Sequence, residues 1–404
     1  MWFIGLDWAD EHHDICVITE TGKQIGSLRI AHSPQGFENL KDFLYSITGP
    51  DNKEEVACIV ETNHGLLINW LLEAGYPVYP VNPKTIDRHR RPSGAKTDKI
   101  DAYLLAKYGR SEMADMRRLE PDSAIVAELK ALTRDQDSLI RSQTRLVNQL
   151  TACLKAYYPV ALHLFSKLQQ HSTLAFLQTY PTSQEAMAAS VEQIAHVLQE
   201  AGHPTANKVA PKILETLHQP QLTADAITIR TKARLMLVLV KQLLPLVEEI
   251  AHYDKVIEEL FLTHADSKMF RSLPRAGKRL APRLLAEIGD DPDRYADAAS
   301  LQALAGTSPV LFESGNYSKP HRRYACSKPL RNALQQFAWQ STQTAGWARD
   351  YYRRKRKEGK SHTVAVRALA NVWARILFAM RSSHSCYCAA TFEEAQRKHA
   401  PRAA

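Results

Sequence analysis

Short apolar runs bounded by polar residues open the chain, a pattern typical of buried β-strands. Residues 3–6 (FIGL) and 15–19 (ICVIT) predict a β-hairpin. Residues 56–60 (VACIV) predict another buried strand, followed by a turn at residues 62–65 that could open a helix. From residue 98 the sequence DKIDAYLLAKYG has helical periodicity. The N-terminal part is therefore expected to be a sheet flanked by helices.

The middle of the chain has apolar residues at alternating spacings of three and four. The first series is Ile125, Leu129, Leu132, Leu139, Leu146 and Leu150, and the second is Leu239, Leu243, Leu246, Ile250, Tyr253, Ile257 and Leu260. They predict two coiled-coil-like helices, the second kinked at Pro245. Between them, residues 159–223 contain turns and short amphipathic stretches, which predict a small helical insertion. Intramolecular helix packing and an intermolecular seam both fit this spacing.

The C-terminal part also reads as helical. Residues 328–340, 347–357 and 361–380 each have helical periodicity, and the last carries Leu369, Val372, Ile376 and Met380 on one face. These helices predict a mostly α C-terminal domain.

Four acidic residues are candidates for metal chemistry. Asp7 ends the first strand, Glu61 directly follows VACIV, and Asp98 and Asp101 lie three apart on one helix face. Each alone could be a turn former or a helix cap, and Thr97 or Asp98 could simply cap the helix. Their order and spacing are those of a ribonuclease-H-like nuclease core. Converging carboxylates can hold two Mg²⁺ ions about 4 Å apart, so the pattern predicts cutting or joining of nucleic acid.

Positive charge is concentrated toward the C-terminus. The net charge is +9, but residues 267–404 contain 25 Lys and Arg against 10 Asp and Glu, a balance of +15. Such a surface is typical of polyanion binding, although it could also be an ordinary solvated surface. The basic residues predicted to contact nucleic acid are Arg88, Arg90, Arg91, Lys96, Arg322, Arg323, Lys328 and Arg331. Tyr317 and Tyr324 lie among them and could stack on bases, with core packing the favoured use.

The apolar runs and the cysteines of the sequence predict the cellular compartment of the protein. No run reaches the ~18 apolar residues of a membrane span, and the N-terminus lacks a signal-peptide pattern. Six scattered cysteines form no disulfide framework, as expected in a reducing compartment. We expect a cytoplasmic protein with no membrane contact.

Three segments resemble a known family. The opening GLDWADEHHDICV, the run VNPKTIDRHRRPSGAKTDKIDAYLLAKYG and the later LLAEIGDDPDRYADAASLQALAGTSPVLFESG resemble the DEDD transposases of the insertion-sequence family numbered one hundred and ten (IS110), relatives of the Piv invertase. The resemblance covers nearly the whole chain. One departure is the sequence RAGK at residues 275–278, where the family usually has a Gly-x-Gly turn.

The resemblance implies roles for particular residues. Asp7, Glu61, Asp98 and Asp101 would be the DEDD acids of a RuvC-like domain and bind Mg²⁺, as two ions. Ser314 in FESG would be the nucleophile that attacks a DNA phosphodiester. Ser308 in GTSP is the runner-up. From residue type alone, Ser314 reads as a turn residue.

The resemblance also implies partners. These are donor and target DNA, a structured non-coding bridge RNA that selects both DNAs by pairing, and further copies of the chain in a dimer or tetramer.

The expected fold class is an α/β RNase-H-like (RuvC-like) N-terminal domain, a helical coiled-coil-like middle and a mostly α transposase domain. The expected bounds are 1–115 for the first, 116–265 for a helical hairpin with its insertion at 159–223, 266–390 for the third, and 391–404 for a tail. The expected function is a DNA recombinase and transposase. A Holliday-junction-type endonuclease that uses metal-activated water, with Ser314 merely structural, is the alternative. A nucleic-acid-binding scaffold without chemistry is a third class.

Overall fold

The computed structural model describes residues 1–82, 86, 97–315 and 317–399. Within it the chain forms two compact units, Met1–Pro121 and Asp122–Ala404. The first is a mixed α/β unit built on one sheet, and the second is mostly helical. The predicted fold class is confirmed at this level.

Five strands form the sheet of the first unit. They are β1 (Trp2–Trp8), β2 (His12–Thr19), β3 (Gln24–Ala31), β4 (Val56–Val60) and β5 (Val78–Pro80). Their spatial order is β3-β2-β1-β4-β5. The pairs β3-β2 and β2-β1 are antiparallel, whereas β4 is parallel to both β1 and β5. The carboxyl ends of β1 and β4 therefore lie at the same edge of the sheet.

Helices cover both faces of this sheet. Helices α1 (Pro34–Thr48) and α2 (Leu66–Glu73) pack on one face over Ile4 and Leu6. Helix α3 (Asp98–Glu112) packs on the other face, over Phe3 and the odd-numbered residues of β4. Alternate residues of each strand point to opposite faces, so odd positions of β1 and β4 face α3.

The crossing of α3 over β1 depends on Gly5. A Cβ atom at this position would lie 1.9 Å from the carbonyl oxygen of Ala102 and 2.5 Å from the amide nitrogen of Ala106, both backbone atoms of α3. No side-chain rotation relieves such a clash. Glycine lets the helix lie directly on the strand.

Gly5→Ala is therefore expected to destabilise the protein by roughly 3 kcal/mol or more, since α3 must move away from the sheet. Urea unfolding should show a lower midpoint. The matched control is Gly346→Ala, because a Cβ there meets nothing within 4 Å. Equal midpoints for the two variants would contradict the tight crossing.

Two long helices run through the second unit. Helix α4 spans Ala124–Tyr157, and α10 spans Ala226–Thr263 without interruption at Pro245. The helices are antiparallel, because Gln136 bonds to Asp254 while the thiol of Cys153 bonds to the carbonyl of Lys232. They form the predicted helical pair.

Five short helices connect these two long ones. They are α5 (Ala161–Leu164), α6 (His171–Thr179), α7 (Ser183–Ala188), α8 (Val191–Glu200) and α9 (Ala206–Leu217). Their apolar side chains share one core with Leu150 and Leu154 of α4 and Met236 and Leu243 of α10. The insertion thus packs on one end of the long pair and shares a core with it.

The other end of the pair belongs to a second core. Val126 and Leu129 of α4 and Ile257 and Phe261 of α10 pack with the C-terminal helices. Those helices are α11 (Ser267–Arg271), α12 (Gly277–Ile288), α13 (Ala298–Leu304), α14 (Lys328–Ser341), α15 (Gly346–Lys357), α16 (His362–Ser382) and α17 (Ala389–His399). The predicted helices at 328–340, 347–357 and 361–380 are confirmed as α14, α15 and α16.

Helix α16 is the one described helix long and apolar enough to cross a membrane, by length and composition. Half of its apolar window is buried inside the protein, and Leu369 and Trp373 are fully buried. It packs as a core helix of the second unit.

A small hairpin interrupts the helices. Strands β6 (Val310–Ser314) and β7 (Tyr317–His321) pair antiparallel and are almost wholly exposed. The sequence did not predict it. The expectation that Tyr317 and Tyr324 pack in a core is wrong, because they are 45% and 68% exposed.

Candidate active site

The sheet and α3 place the four predicted acids on one face. Asp7 lies two residues beyond Gly5 and therefore also faces α3. Glu61 directly follows β4 at the same edge, in phase with Ile59, which faces α3. Asp98 and Asp101 occupy the first turn of α3. That turn is fixed by its N-cap, since the hydroxyl of Thr97 accepts a hydrogen bond from the amide of Ile100.

Asp7 experiences the charge of the other acids. Burial raises its pKa most, and then Asp101, Glu61, Asp98 and Asp14 raise it further, to about 7. Negative neighbours oppose ionisation of a carboxyl group, so this pKa reports several carboxylates close together. The structure brings the four predicted acids into one cluster and adds Asp14.

Asp14 was missed by the sequence reasoning. It lies opposite Asp7 in the pairing of β1 and β2, and its side chain is 3% exposed. Arg29, its partner on β3, donates to both Asp14 carboxylate oxygens at 2.6 to 3.2 Å and to Asp98 at 3.2 Å. The predicted strand began at Ile15, whereas β2 begins at His12. Extending the period-two pattern back to His12 would have placed Asp14 on the face of Asp7.

The donor set fits a divalent cation. Carboxylate oxygens are the ligands that Mg²⁺ prefers, and the neighbouring acids raise the pKa of Asp7 beyond the effect of its burial, as expected where several carboxylates lie close together. Ligand atoms of His12, Asp14 and Asp98 lie within 4.8 Å of one another. The imidazole nitrogen Nε2 of His12 is 3.4 Å from Asp98. Within the cluster, Arg29 supplies the positive charge that two of the acids share.

The pKa of Asp7 predicts a pH dependence of stability. Its folded pKa of about 7 exceeds the ordinary 3.8, so the folded state binds a proton that the unfolded chain releases in this window. Without divalent cations, this carboxyl group should stabilise the fold as the pH falls through 7. His13 acts oppositely, because burial, then His32, lowers its pKa from 6.5 to about 4. Comparing the wild type with a variant that lacks only the Asp7 carboxyl group separates the effect of Asp7 from that of His13.

The substitution Asp7→Asn removes the titration of Asp7 and leaves that of His13 in place. In chelator, the melting temperature of the wild type minus that of Asp7→Asn should be more negative at about pH 8 than at about pH 5, since the wild-type carboxylate is charged only at the higher pH. A difference that does not change with pH would show that Asp7 titrates normally.

Ser314 lies in the second unit, as the last residue of β6 paired with Tyr317. It is exposed, and Gly315 follows with a φ of 54°, a backbone conformation that favours glycine. Its hydroxyl makes no hydrogen bond to another described residue. The runner-up, Ser308, is half-buried before the hairpin.

The predicted basic residues of this unit lie directly after the hairpin and in the first turn of α14. Arg322 is exposed with its guanidinium 5.5 Å from the ring centre of Tyr324, and Lys328 is exposed at the start of α14. Arg323 and Arg331 are half-buried. The predicted residues Arg88, Arg90, Arg91 and Lys96 lie outside the described residues.

Arg367 of α16 extends this basic surface and was missed. Burial lowers its pKa, and the nearby charge of Arg322 lowers it further. It forms no ion pair with another described residue. Adjacent cations without acidic partners favour an anionic ligand. Only the fold brings Arg367, on a helix far along the chain, close to Arg322.

Two family models match parts of the chain. Residues 4–159 match the family model of the DEDD transposases of IS110, described as a transposase. Residues 267–353 match the model described as a transposase of the IS116/IS110/IS902 family.

Three relatives illustrate the similarity. A candidate transposase for the mini-circle IS117 of Streptomyces coelicolor is 30% identical over 99% of this chain and 97% of its own. A 44.8 kDa protein of insertion element IS116 from Streptomyces clavuligerus is 29% identical over 94% of each chain. The pilin gene-inverting protein of Moraxella lacunata is 30% identical over 38% of this chain and 49% of its own.

Fold, acidic cluster and relatives together define the class: the protein is a transposase, an enzyme that recombines DNA. The chain belongs to the IS110 family of insertion-sequence transposases. Donor and target DNA are accordingly its substrates.

Proposed function

We propose that the protein is an RNA-guided recombinase that exchanges DNA strands through a serine nucleophile and metal-binding acids. The observation that carries the proposal is the convergence of the four acids at one sheet edge, where Asp101, Glu61 and Asp98 each raise the pKa of Asp7 beyond the effect of its burial. Carboxylates that served only as separate turn formers or helix caps would lie too far apart to raise the pKa of one another.

The finer fold assignment is part of the proposal. Residues 1–115 form an RNase-H-like (RuvC-like) domain. The strand order β3-β2-β1-β4-β5, with β1 to β3 antiparallel, β4 and β5 parallel to β1, and helices on both faces, supports this assignment. Residues 116–265 form a coiled-coil-like hairpin with its insertion at 159–223, residues 266–390 form the transposase domain, and residues 391–404 form the tail. The two cores of the second unit support separate packing of the insertion and of the C-terminal helices, and each core also takes up one end of the long helical pair.

The acids define the metal chemistry. Asp7, Glu61, Asp98 and Asp101 would together hold two Mg²⁺ ions, with Asp14 kept beside them by Arg29. Bound divalent ions would offset negative charge that builds on a phosphodiester during exchange. The role of this chain's residues is to fix that charge density at the sheet edge, with α3 anchored by Gly5 and Thr97.

Ser314 supplies the covalent step. Its hydroxyl oxygen attacks the phosphorus of a scissile phosphodiester, a phosphoserine bond forms, and one DNA hydroxyl leaves. Attack by the hydroxyl of another strand then re-forms a phosphodiester and releases the serine. The exposed position of Ser314 at the tip of a hairpin supports this role, because the hydroxyl can reach a DNA backbone.

Nucleic-acid contact is assigned to the basic residues. Arg322, Arg323, Lys328 and Arg331, extended by Arg367, would contact phosphates from the second unit, and Arg88, Arg90, Arg91 and Lys96 from the first. Choice of the donor and target sequences is assigned to a bridge RNA, as in the family that the chain resembles. Assembly is proposed to be a dimer or tetramer.

The junction-endonuclease alternative is not favoured. The relatives are named as transposases and as a gene-inverting protein. These names describe rearrangement of DNA, whereas a junction endonuclease only cuts DNA junctions.

Co-purification tests the RNA-guided part. The full chain, expressed with the non-coding sequence that flanks its gene, should retain one discrete structured RNA that sequencing identifies. Supplying that RNA should be required for strand exchange between plasmids carrying donor and target sites in Mg²⁺. Exchange at full rate after ribonuclease treatment would refute guidance by RNA while leaving the acid and serine chemistry intact.

A further inference from the structure

The second unit contains a cavity of about 760 Å³ between α4, α10, α12 and α14. This volume falls in the range of sites that bind small molecules and cofactors. None of the acids, serines or basic residues assigned above lines it. Its walls are rich in charged and amide side chains, which sets it apart from a packing defect in an apolar core.

The charged side chains of the cavity do not balance. Three ion pairs cross its walls: Arg279 with Asp254 at 2.6 Å, Lys278 with Glu258 at 2.7 Å, and Arg283 with Asp137 at 2.8 Å. Lys255 and Arg275 also line it, and the side chain of neither forms a hydrogen bond or an ion pair with another described residue. Five cations thus face three acids, so the cavity favours an anion.

Arg275 is held in an unusual backbone conformation. Its φ is 62°, in the left-handed region that non-glycine residues rarely adopt. Glycine would take this conformation without strain. Strained residues persist mainly where the side chain has a function. The arginine side chain at the cavity rim therefore points to a ligand that it contacts.

Besides its charged side chains, the cavity contains the aromatic ring of Trp339 and the amide of Gln340. The Trp339 indole is 38% exposed, and Tyr352 and His362 hold it edge-on at 5.4 and 4.9 Å between ring centres. The amides of Gln136 and Gln336 already bond to Asp254 and Arg283, whereas the exposed side chain of Gln340 forms no hydrogen bond with another described residue. A fixed aromatic ring stacks on a base, and amides can bond to base edges.

We infer that this cavity binds one nucleotide of a single nucleic-acid strand. Arg275 and Lys255 contact its phosphate, and Trp339 stacks on its base. The strand could be RNA or unpaired DNA, since both present the same phosphate and base. The site is independent of the acid cluster and of Ser314, so it stands or falls separately from the proposed strand-exchange chemistry.

The decisive variant is Arg275→Gly, because glycine suits the backbone at this position. We expect an equal or higher melting temperature together with roughly fivefold weaker binding of a labelled single-stranded oligonucleotide. The logarithmic salt dependence of binding should become shallower by about one phosphate contact. Fluorescence anisotropy with the full chain, on RNA and on DNA oligonucleotides of about twelve nucleotides, measures each.

Trp339→Leu should weaken binding about tenfold without changing the salt dependence, since it removes stacking and not charge. The matched control is Arg230→Gln, an exposed arginine of α10 that does not line the cavity. Whichever oligonucleotide loses more affinity identifies the natural strand. Unchanged affinity of Arg275→Gly for both, or an equal loss in Arg230→Gln, would overturn the inference.

Discussion

Asp7→Asn and Asp101→Asn should each reduce strand exchange by roughly a hundredfold or more while the fold remains intact. Each variant removes one carboxylate from the set that would hold the cations. Asp7→Asn carries a further signature. Because the Asp7 carboxylate is repelled by its neighbours, its removal should leave the metal-free protein as stable as the wild type at neutral pH, or more so. Loss of activity would then coincide with no loss of stability.

The measurement is recombination between two plasmids in Mg²⁺, with circular dichroism and thermal unfolding of each variant. Asp51→Asn is the matched control, since Asp51 is an exposed carboxylate in a turn before β4. Full recombination by Asp7→Asn or Asp101→Asn would show that the acid cluster is structural. The Asp51→Asn variant should recombine at the wild-type rate.

Cleavage by the wild type should leave DNA joined covalently to Ser314, and Ser314→Ala should form no adduct and exchange no strands. The reason is that attack by a side-chain oxygen splits the exchange into two transesterifications that conserve the phosphodiester bond energy. Trapping on a nicked substrate, followed by proteolysis and mass spectrometry, locates the modified peptide. We expect the adduct on the peptide that contains residues 310–315.

Ser308→Ala is the control within the same segment. It should retain adduct formation, because Ser308 lies outside the exposed hairpin and is half-buried. An adduct on Ser308 would move the nucleophile. Cut DNA without any adduct would return the protein to the class of nucleases that use water.

Several features could be predicted because they depend on neighbours in sequence. The run VACIV is apolar throughout, as expected for a strand buried on both faces, and it forms β4 with the predicted bounds. Thr97 caps α3 as its position suggested, and the spacing of Asp98 and Asp101 placed both in one helical turn. Helices α14 and α16 likewise follow from their periodicity.

Other features required strand register or packing between distant segments. Asp14 faces Asp7 only because β2 extends back to His12, and Arg29 reaches both Asp14 and Asp98 only because β3 pairs with β2. The hairpin of Ser314 leaves Phe312 and Tyr317 exposed, which is the reverse of what apolar side chains suggest by themselves. Hydrophobicity predicts burial only where another surface is present to cover it.

The sequence by itself determined β1, β4, α3, the long helical pair and the C-terminal helices, the positions of the four acids on these elements, and the family to which the chain belongs, because each depends on a local pattern or a motif. The tertiary structure decided which side chains meet. Only folding sets Gly5 beneath α3, adds Asp14 and Arg29 to the acids, brings Arg367 beside Arg322 and encloses Arg275 with Trp339 in one cavity. These contacts depend on sheet register and on packing between helices and strands, which no local window of sequence contains.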